Sequence, residues 1–200
     1  MSTSATQPEL RRKILDVTRH LLIKEGYAGL SMRKIARAIG YSATTIYLYF
    51  KNKDELFHTL ILEGLELLYK QLQEGVDGVE DPEKRLRALC EQYLMFGLRN
   101  PEYYEIMFIM HPEKTSRFPV EDFRKGRRNL QLFADTLARG ADQGLFQVED
   151  SRVSASVIWA YLHGVVSLLI AQRVDVRINH EQFVEEAIDR AVGSFRAITV

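Results

Sequence analysis

A single cysteine, Cys90, cannot close a disulfide within the chain, so disulfide-stapled folds are excluded and a reducing, cytoplasmic setting is expected. Five prolines and twelve glycines follow no repeat, which excludes collagen-like and low-complexity chains, and 46% hydrophobic residues exclude a disordered one. Neither charge is in excess: 27 Lys and Arg meet 27 Asp and Glu, a balance that at first sight speaks against a nucleic-acid partner. The start, MSTSATQPEL, lacks a basic stretch followed by an apolar one, so no signal peptide is expected. One apolar run is long enough to need checking as a membrane span. The uncharged stretch from Val153 to Gln172 holds Ser154, Ser156, His163 and Ser167, and its most apolar part falls short of the roughly 18 to 20 residues of a bilayer span. It is expected to be a helix buried in protein, with no membrane partner. No nucleophile, base and acid stand together, no glycine loop could cradle phosphate, and His58, Cys90, His111 and His163 match no metal spacing. Neither an enzyme nor a cofactor is expected.

What is present is helical periodicity from end to end. Thr6 to Glu9 offers a capping box with proline in the first turn, and Leu10, Ile14, Val17 and Leu21 recur on one face until Gly26. Ser31 and Ser42 are N-cap signals for two short helices, the first closed by Gly40. Asn52 to Glu55 opens a long helix carrying Leu56, Leu60, Leu67 and Leu68 toward Gly75 and Gly78. Further helices are expected after Asp81-Pro82, from Tyr103 to Met110 with a stop at His111-Pro112, and from Phe118-Pro119 to Gly144. Two more are expected from Asp150 or Ser151, and from about His180 to Ile198. The fold class is all-α with about nine helices: a three-helix domain over residues 1–60 and a helical domain over 61–200.

Ser31 to Lys53, SMRKIARAIGYSATTIYLYFKNK, carries the chemistry. Two short helices meeting at Gly40-Tyr41 make a helix-turn-helix pattern, with Ile35, Ile39 and Ile46 directed at the first helix and Ala36 allowing close packing. Ala43, Thr44, Thr45, Tyr47 and Tyr49 then remain outside, with hydroxyls and rings but no charge, while Arg33, Lys34, Arg37, Lys51 and Lys53 flank them. Short hydroxyl side chains can reach base edges in a DNA major groove, and flanking cations and tyrosines can hold phosphates. Backbone N–H groups at the start of the fourth helix add a place for an anion beside Lys53. The same residues could instead belong to an ordinary three-helix bundle.

This stretch, with RRKILDVTRHLLIKEGYAGL before it and DEL after it, resembles the DNA-binding domain of the TetR family of transcriptional repressors. The resemblance spans about residues 10 to 60 and rests on Ala36 with Gly40, on Thr45-Ile46-Tyr47, on Tyr49-Phe50 and on Lys51-Asn52-Lys53. It implies double-stranded operator DNA as a partner, with Ser31 and Arg33 near the backbone or an adjacent base. It further implies Ala43, Thr44 and Thr45 at base edges, Tyr47 and Tyr49 at phosphates, and Lys53 on the backbone. Ala43 departs from members that carry a long polar side chain there. Counted by region, residues 1–60 hold 10 Lys and Arg against 5 Asp and Glu, and residues 61–200 hold 17 against 22. The zero sum therefore conceals a basic head on an acidic body.

For residues 61–200 the resemblance implies self-association and a small-molecule effector. Ser156, Ala160 and Gly164, four apart on an otherwise apolar helix, form a stripe suited to a homodimer interface. All-round apolarity would equally suit a helix central to one protomer's core. Trp159, His163 and Gly164 resemble the Trp-His-Gly motif of one C-terminal subclass, as does Asn100 to Tyr104 with Met107 and Phe108 after it. Tyr93, Phe96, Tyr104, Met107, Phe108, Met110, Phe133 and Trp159 are candidate ligand-binding residues, apolar and aromatic with His111 or His163 as polar points, so an apolar or aromatic effector is expected. The function so implied is a ligand-responsive homodimeric repressor. The alternative is a helical protein-interaction module whose helix-turn-helix is vestigial.

Overall fold

The computed structural model describes residues 6–110 and 120–197. Nine α-helices occur among them: α1 Gln7–Gly29, α2 Met32–Ile39, α3 Ala43–Tyr47, α4 Lys53–Gly75, α5 Pro82–Arg99, α6 Pro101–Tyr104, α7 Val120–Asp142, α8 Ser151–Ile170 and α9 His180–Gly193. A π-helical turn, Glu105–Ile109, continues α6. The expected helix stop at His111-Pro112, and the expected start at Phe118-Pro119, lie outside the described residues.

Local capping sets most of the helix starts. Ser31, Ser42, Asp81, Asp150 and Asn179 each accept backbone N–H groups of the first turn that follows them. At α4 the Asn52 Oδ1 accepts from the Glu55 N–H at 2.9 Å, and the Glu55 carboxylate accepts from the Lys51 N–H at 2.6 Å. Gly40 ends α2 at φ +78°, ψ +30°, which lets the Tyr41 N–H return to the Ala36 carbonyl at 2.9 Å. This left-handed conformation is disfavoured for any residue with a Cβ. Gly40→Ala is therefore expected to lower stability by about 1–2 kcal/mol, read as a fall in the denaturation midpoint. The space where the added methyl would lie is open, so the loss is conformational and not steric.

The chain forms two compact units over the described residues, Met1–Gly64 with Glu102–Val120, and Leu65–Pro101 with Glu121–Val200. In the first, α2 packs on α1 and α3 on α2, and the π-helical turn also reaches α1. Ile14, Leu22, Ile35, Ile46, Leu56 and Leu60 are fully buried in its core. The buried stripe of α1 runs Leu10, Ile14, Thr18, Leu22, with Leu15 beside it, whereas Val17 and Leu21 are only half-buried. Thr18 is tolerated there because its hydroxyl donates to the Ile14 carbonyl at 2.7 Å.

In the second unit α5 packs on both α8 and α9, which also touch each other. Burial pushes the Cys90 thiol of α5 up to about 12, so this cysteine is an inert core residue. Helix α9 ends at Gly193, short of the expected Ile198. The chain beyond it pairs with residues 145–147 instead: the Gln147 N–H donates to the Phe195 carbonyl at 2.8 Å and the Ala197 N–H to the Leu145 carbonyl at 3.0 Å. Of the leucines that the long helix α4 carries, Leu56, Leu60 and Leu68 are buried and Leu67 is exposed.

Candidate nucleic-acid interface

Helix α3 is only five residues long, so its orientation depends on the side chains it buries. Ile46 and Phe50, one turn apart, are both buried and anchor it. At 100° per residue Thr44 and Leu48 lie about 200° from Ile46, on the side facing away from the core. They form the outer ridge, and both are exposed, Leu48 by 80%. Ala43 and Tyr47 occupy one flank of that ridge and Thr45 and Tyr49 the other. Tyr47 is 55% exposed, while Ala43, Thr45 and Tyr49 are half-buried.

Hydrogen bonds hold several of these groups in place. Ser42 Oγ accepts from the Thr45 N–H at 3.1 Å and lies 2.9 Å from Thr45 Oγ1, so the Thr45 hydroxyl is oriented by its own cap. Ser31 is exposed and accepts from the Lys34 N–H at 3.2 Å, and Lys34 is itself paired with Glu25 and the Gly29 carbonyl. By contrast Arg33, Arg37 and Lys51 are exposed and form no ion pair among the described residues. Lys53 is half-buried. Its ammonium donates to the Tyr27 carbonyl at 3.2 Å and stands 4.2 Å from the centre of the Tyr27 ring, whose hydroxyl donates to Asp54. No charged residue occurs from Ala38 to Phe50. The surface around α3 is thus an uncharged ridge of short or apolar side chains, bordered by free cations.

In the second unit α8 has two faces. Ala155, Ile158, Leu162, Val165, Val166 and Leu169 are buried. Val153, Val157, Tyr161 and Leu168 are exposed, Val153 by 60% and Val157 by 57%. Ser156, Ala160 and Gly164 lie on this exposed side, with nothing within 4 Å of the position a Gly164 Cβ would take. By length and composition α8 could cross a membrane, but its inner face is held in protein by α5 and α9. The reading that placed it wholly inside one protomer's core does not hold among the described residues, where Val153, Val157, Tyr161 and Leu168 are exposed.

The family model for bacterial regulatory proteins, tetR family, matches residues 14–60, and that for the tetracyclin repressor-like C-terminal domain matches residues 86–191. The chain belongs to the TetR family. Family membership makes it a transcriptional regulator with a helix-turn-helix, formed by α2 and α3. An HTH-type transcriptional regulator of Haemophilus influenzae is 32% identical over 93 residues, 46% of this chain and half the length of that relative. The HTH-type transcriptional repressor KstR2 of Mycobacterium tuberculosis is 23% identical over 155 residues, 74% of each chain. The solved structure of AibR in complex with isovaleryl coenzyme A and operator DNA shares the fold at a TM-score of 0.73, with 23% identity and 90% of this chain and 96% of that chain covered.

The eight candidate effector residues of this TetR-family chain are divided between the units. Tyr104, Met107, Phe108 and Met110 lie in the first unit, where Tyr104 is fully buried and meets Phe108 edge-on at 5.0 Å. Met107 lies against Gly64 of α4, and a Cβ added there would displace its side chain. Tyr93, Phe96 and Phe133 are buried in the second unit, whereas Trp159 of α8 is 39% exposed. His163 lies 5.7 Å from the Trp159 ring and 3.4 Å from Ser167 Oγ, and desolvation lowers its pKa, which favours the neutral imidazole. His111 lies outside the described residues. Leu48 was missed from the sequence because its apolar side chain does not suggest hydrogen-bonded readout. The signal was nevertheless there, in its spacing of two from Ile46 and four from Thr44.

Proposed function

We propose that this TetR-family regulator is a homodimeric repressor whose paired α3 helices read successive major grooves of a double-stranded operator and which a small-molecule effector releases. The observation that carries the reading is the outward ridge of α3, free of charge and bordered by the unpaired Arg33, Arg37 and Lys51. Such a surface admits a helix to the groove floor while its rim holds phosphates. In this reading Thr44 and Thr45 face base edges beside Ala43, Tyr47 and Tyr49 meet phosphates, and Ser31, Arg33 and Lys53 fix the backbone. The uncovered stripe of α8, with Ser156, Ala160 and Gly164 at its centre, supports pairing of two copies through α8 and α9. Paired half-sites need two heads about one DNA turn apart.

The effector is apolar in the part that enters the protein. Isovaleryl coenzyme A, named with AibR, joins a small branched acyl group to a polyanionic carrier. Both chemistries have counterparts here: aromatic residues buried in each unit, and Arg124, Lys125 and Arg127 exposed on α7. The mechanism is a shift in population, which requires the effector to bind more tightly to the conformer that does not fit DNA.

Fluorescence anisotropy with the DNA upstream of the protein's own gene tests this. Binding at least about 100-fold tighter than to random duplex is expected, with affinity falling as salt rises. Isovaleryl coenzyme A should release the DNA and free coenzyme A should not. Equal affinity for specific and random duplex at every salt concentration rejects sequence-specific reading of that DNA by α3. Release by neither compound rejects the acyl-thioester class.

A further inference from the structure

The geometry points to Leu48 as a specificity-determining residue that reads thymine through its C5-methyl group in the major groove of the operator. This rests on the proposal that α3 enters that groove.

The surroundings of Leu48 support a binding role over chance exposure. A lone exposed leucine is ordinary on a protein surface and needs no explanation. Leu48 is not alone. Among the described residues of the first unit, the exposed large hydrophobic side chains are Tyr41, Tyr47, Leu48 and Ile109, and three of these four fall within eight residues around α3. The backbone at Leu48 is still helical, at φ −70° and ψ −21°, so its side chain continues the line of Thr44 one turn earlier. Both lie opposite the buried Ile46 and Phe50. At the C-cap of α3, Leu48 is 80% exposed, and no charged side chain between Ala38 and Phe50 would hold the ridge off a surface.

Chemistry then selects the partner. Leucine can neither donate nor accept a hydrogen bond, so phosphates and the donor and acceptor edges of bases offer it nothing. In the major groove the thymine methyl is the apolar feature, and the minor groove has none. Thr44, one turn earlier on the same ridge, adds a methyl group, so the ridge presents a small apolar surface matched to a methyl group. The unpaired Arg33, Arg37 and Lys51 supply attraction to the backbone without sequence information. Discrimination on the outer ridge then falls to Leu48 together with the threonines.

The experiment uses the full-length protein and a duplex that it enriches itself from a random-sequence library. Each thymine of the enriched site is replaced in turn by deoxyuridine, which removes the methyl and keeps every hydrogen-bonding group. At one or two positions per half-site the wild-type protein should lose about four-fold in affinity, the worth of one buried methyl group. Leu48→Ala should weaken binding to the thymine duplex by at least that factor and show no further loss on deoxyuridine at the same positions, with its denaturation midpoint unchanged. If every deoxyuridine penalty is the same in Leu48→Ala as in the wild type, the thymine assignment is overturned while the role of α3 in DNA binding stands. If the wild type enriches no sequence, both fall together.

Discussion

Val157→Asp is expected to turn the proposed dimer into a monomer and to cost at least about 100-fold in operator affinity, while helix content stays unchanged. Val157 is 57% exposed on the outer face of α8, so within one protomer the carboxylate would remain in water and the fold would not register the change. In a two-fold interface the same substitution appears twice, because each copy presents the same surface to the other. Two carboxylates would then be buried against the exposed apolar face of α8, a helix segment that is uncharged from Val153 to Gln172. Burying unpaired charge costs several kcal/mol, enough to raise a dissociation constant by two or more powers of ten. Loss of DNA affinity follows, because two linked heads gain from effective concentration what a single head cannot. Sedimentation velocity and anisotropy on one preparation check the expectation. A Val157→Asp protein that still sediments as a dimer would place the pairing surface elsewhere.

Thr44→Glu should cost about 100-fold or more in binding to every duplex, without lowering the denaturation midpoint. Thr44 stands on the outer ridge of α3, opposite the buried Ile46, so nothing in the core senses its replacement. In the groove a carboxylate meets the summed field of the phosphates, and its longer side chain lifts the helix from the base edges. Raising the salt should narrow the gap between variant and wild type, because the repulsion is screened as the Debye length falls below about 10 Å. A loss under about three-fold at low salt would mean that this ridge does not enter the groove. The two substitutions also separate the two halves of the proposal. Thr44→Glu should remain dimeric, and Val157→Asp should retain a folded head with weak, salt-sensitive affinity for DNA.

Much of the architecture was legible because it is encoded within a few residues. Capping by Ser31, Ser42 and Asp150 and the left-handed turn at Gly40 depend only on neighbours up to four positions away, and each lies where the sequence pattern put it. Burial of Ile35, Ile39 and Ile46 follows from helical spacing in the same way. Family membership was legible for a related reason: the short span from Ser31 to Lys53 carries the turn, the anchors and the ridge together.

Other features depended on contacts between residues far apart in the chain. Apolarity on every side of α8 could not say which face would be covered, and the packing of α5 and α9 against Ala155, Ile158 and Leu162 decided it. The position of Lys53 on the Tyr27 ring brings together residues 26 apart, and the pairing of Phe146 with Arg196, which stops α9 early, brings together residues 50 apart. Sequence by itself determined the all-α class, the capped helix starts after Ser31, Ser42 and Asp150, and the separation of basic from acidic residues along the chain, because propensity, capping and charge are local quantities. Only the tertiary structure decided which apolar surface of α8 was left uncovered and that Leu48, at the end of α3, is 80% exposed. Burial depends on what a side chain meets, and what it meets is set by the fold.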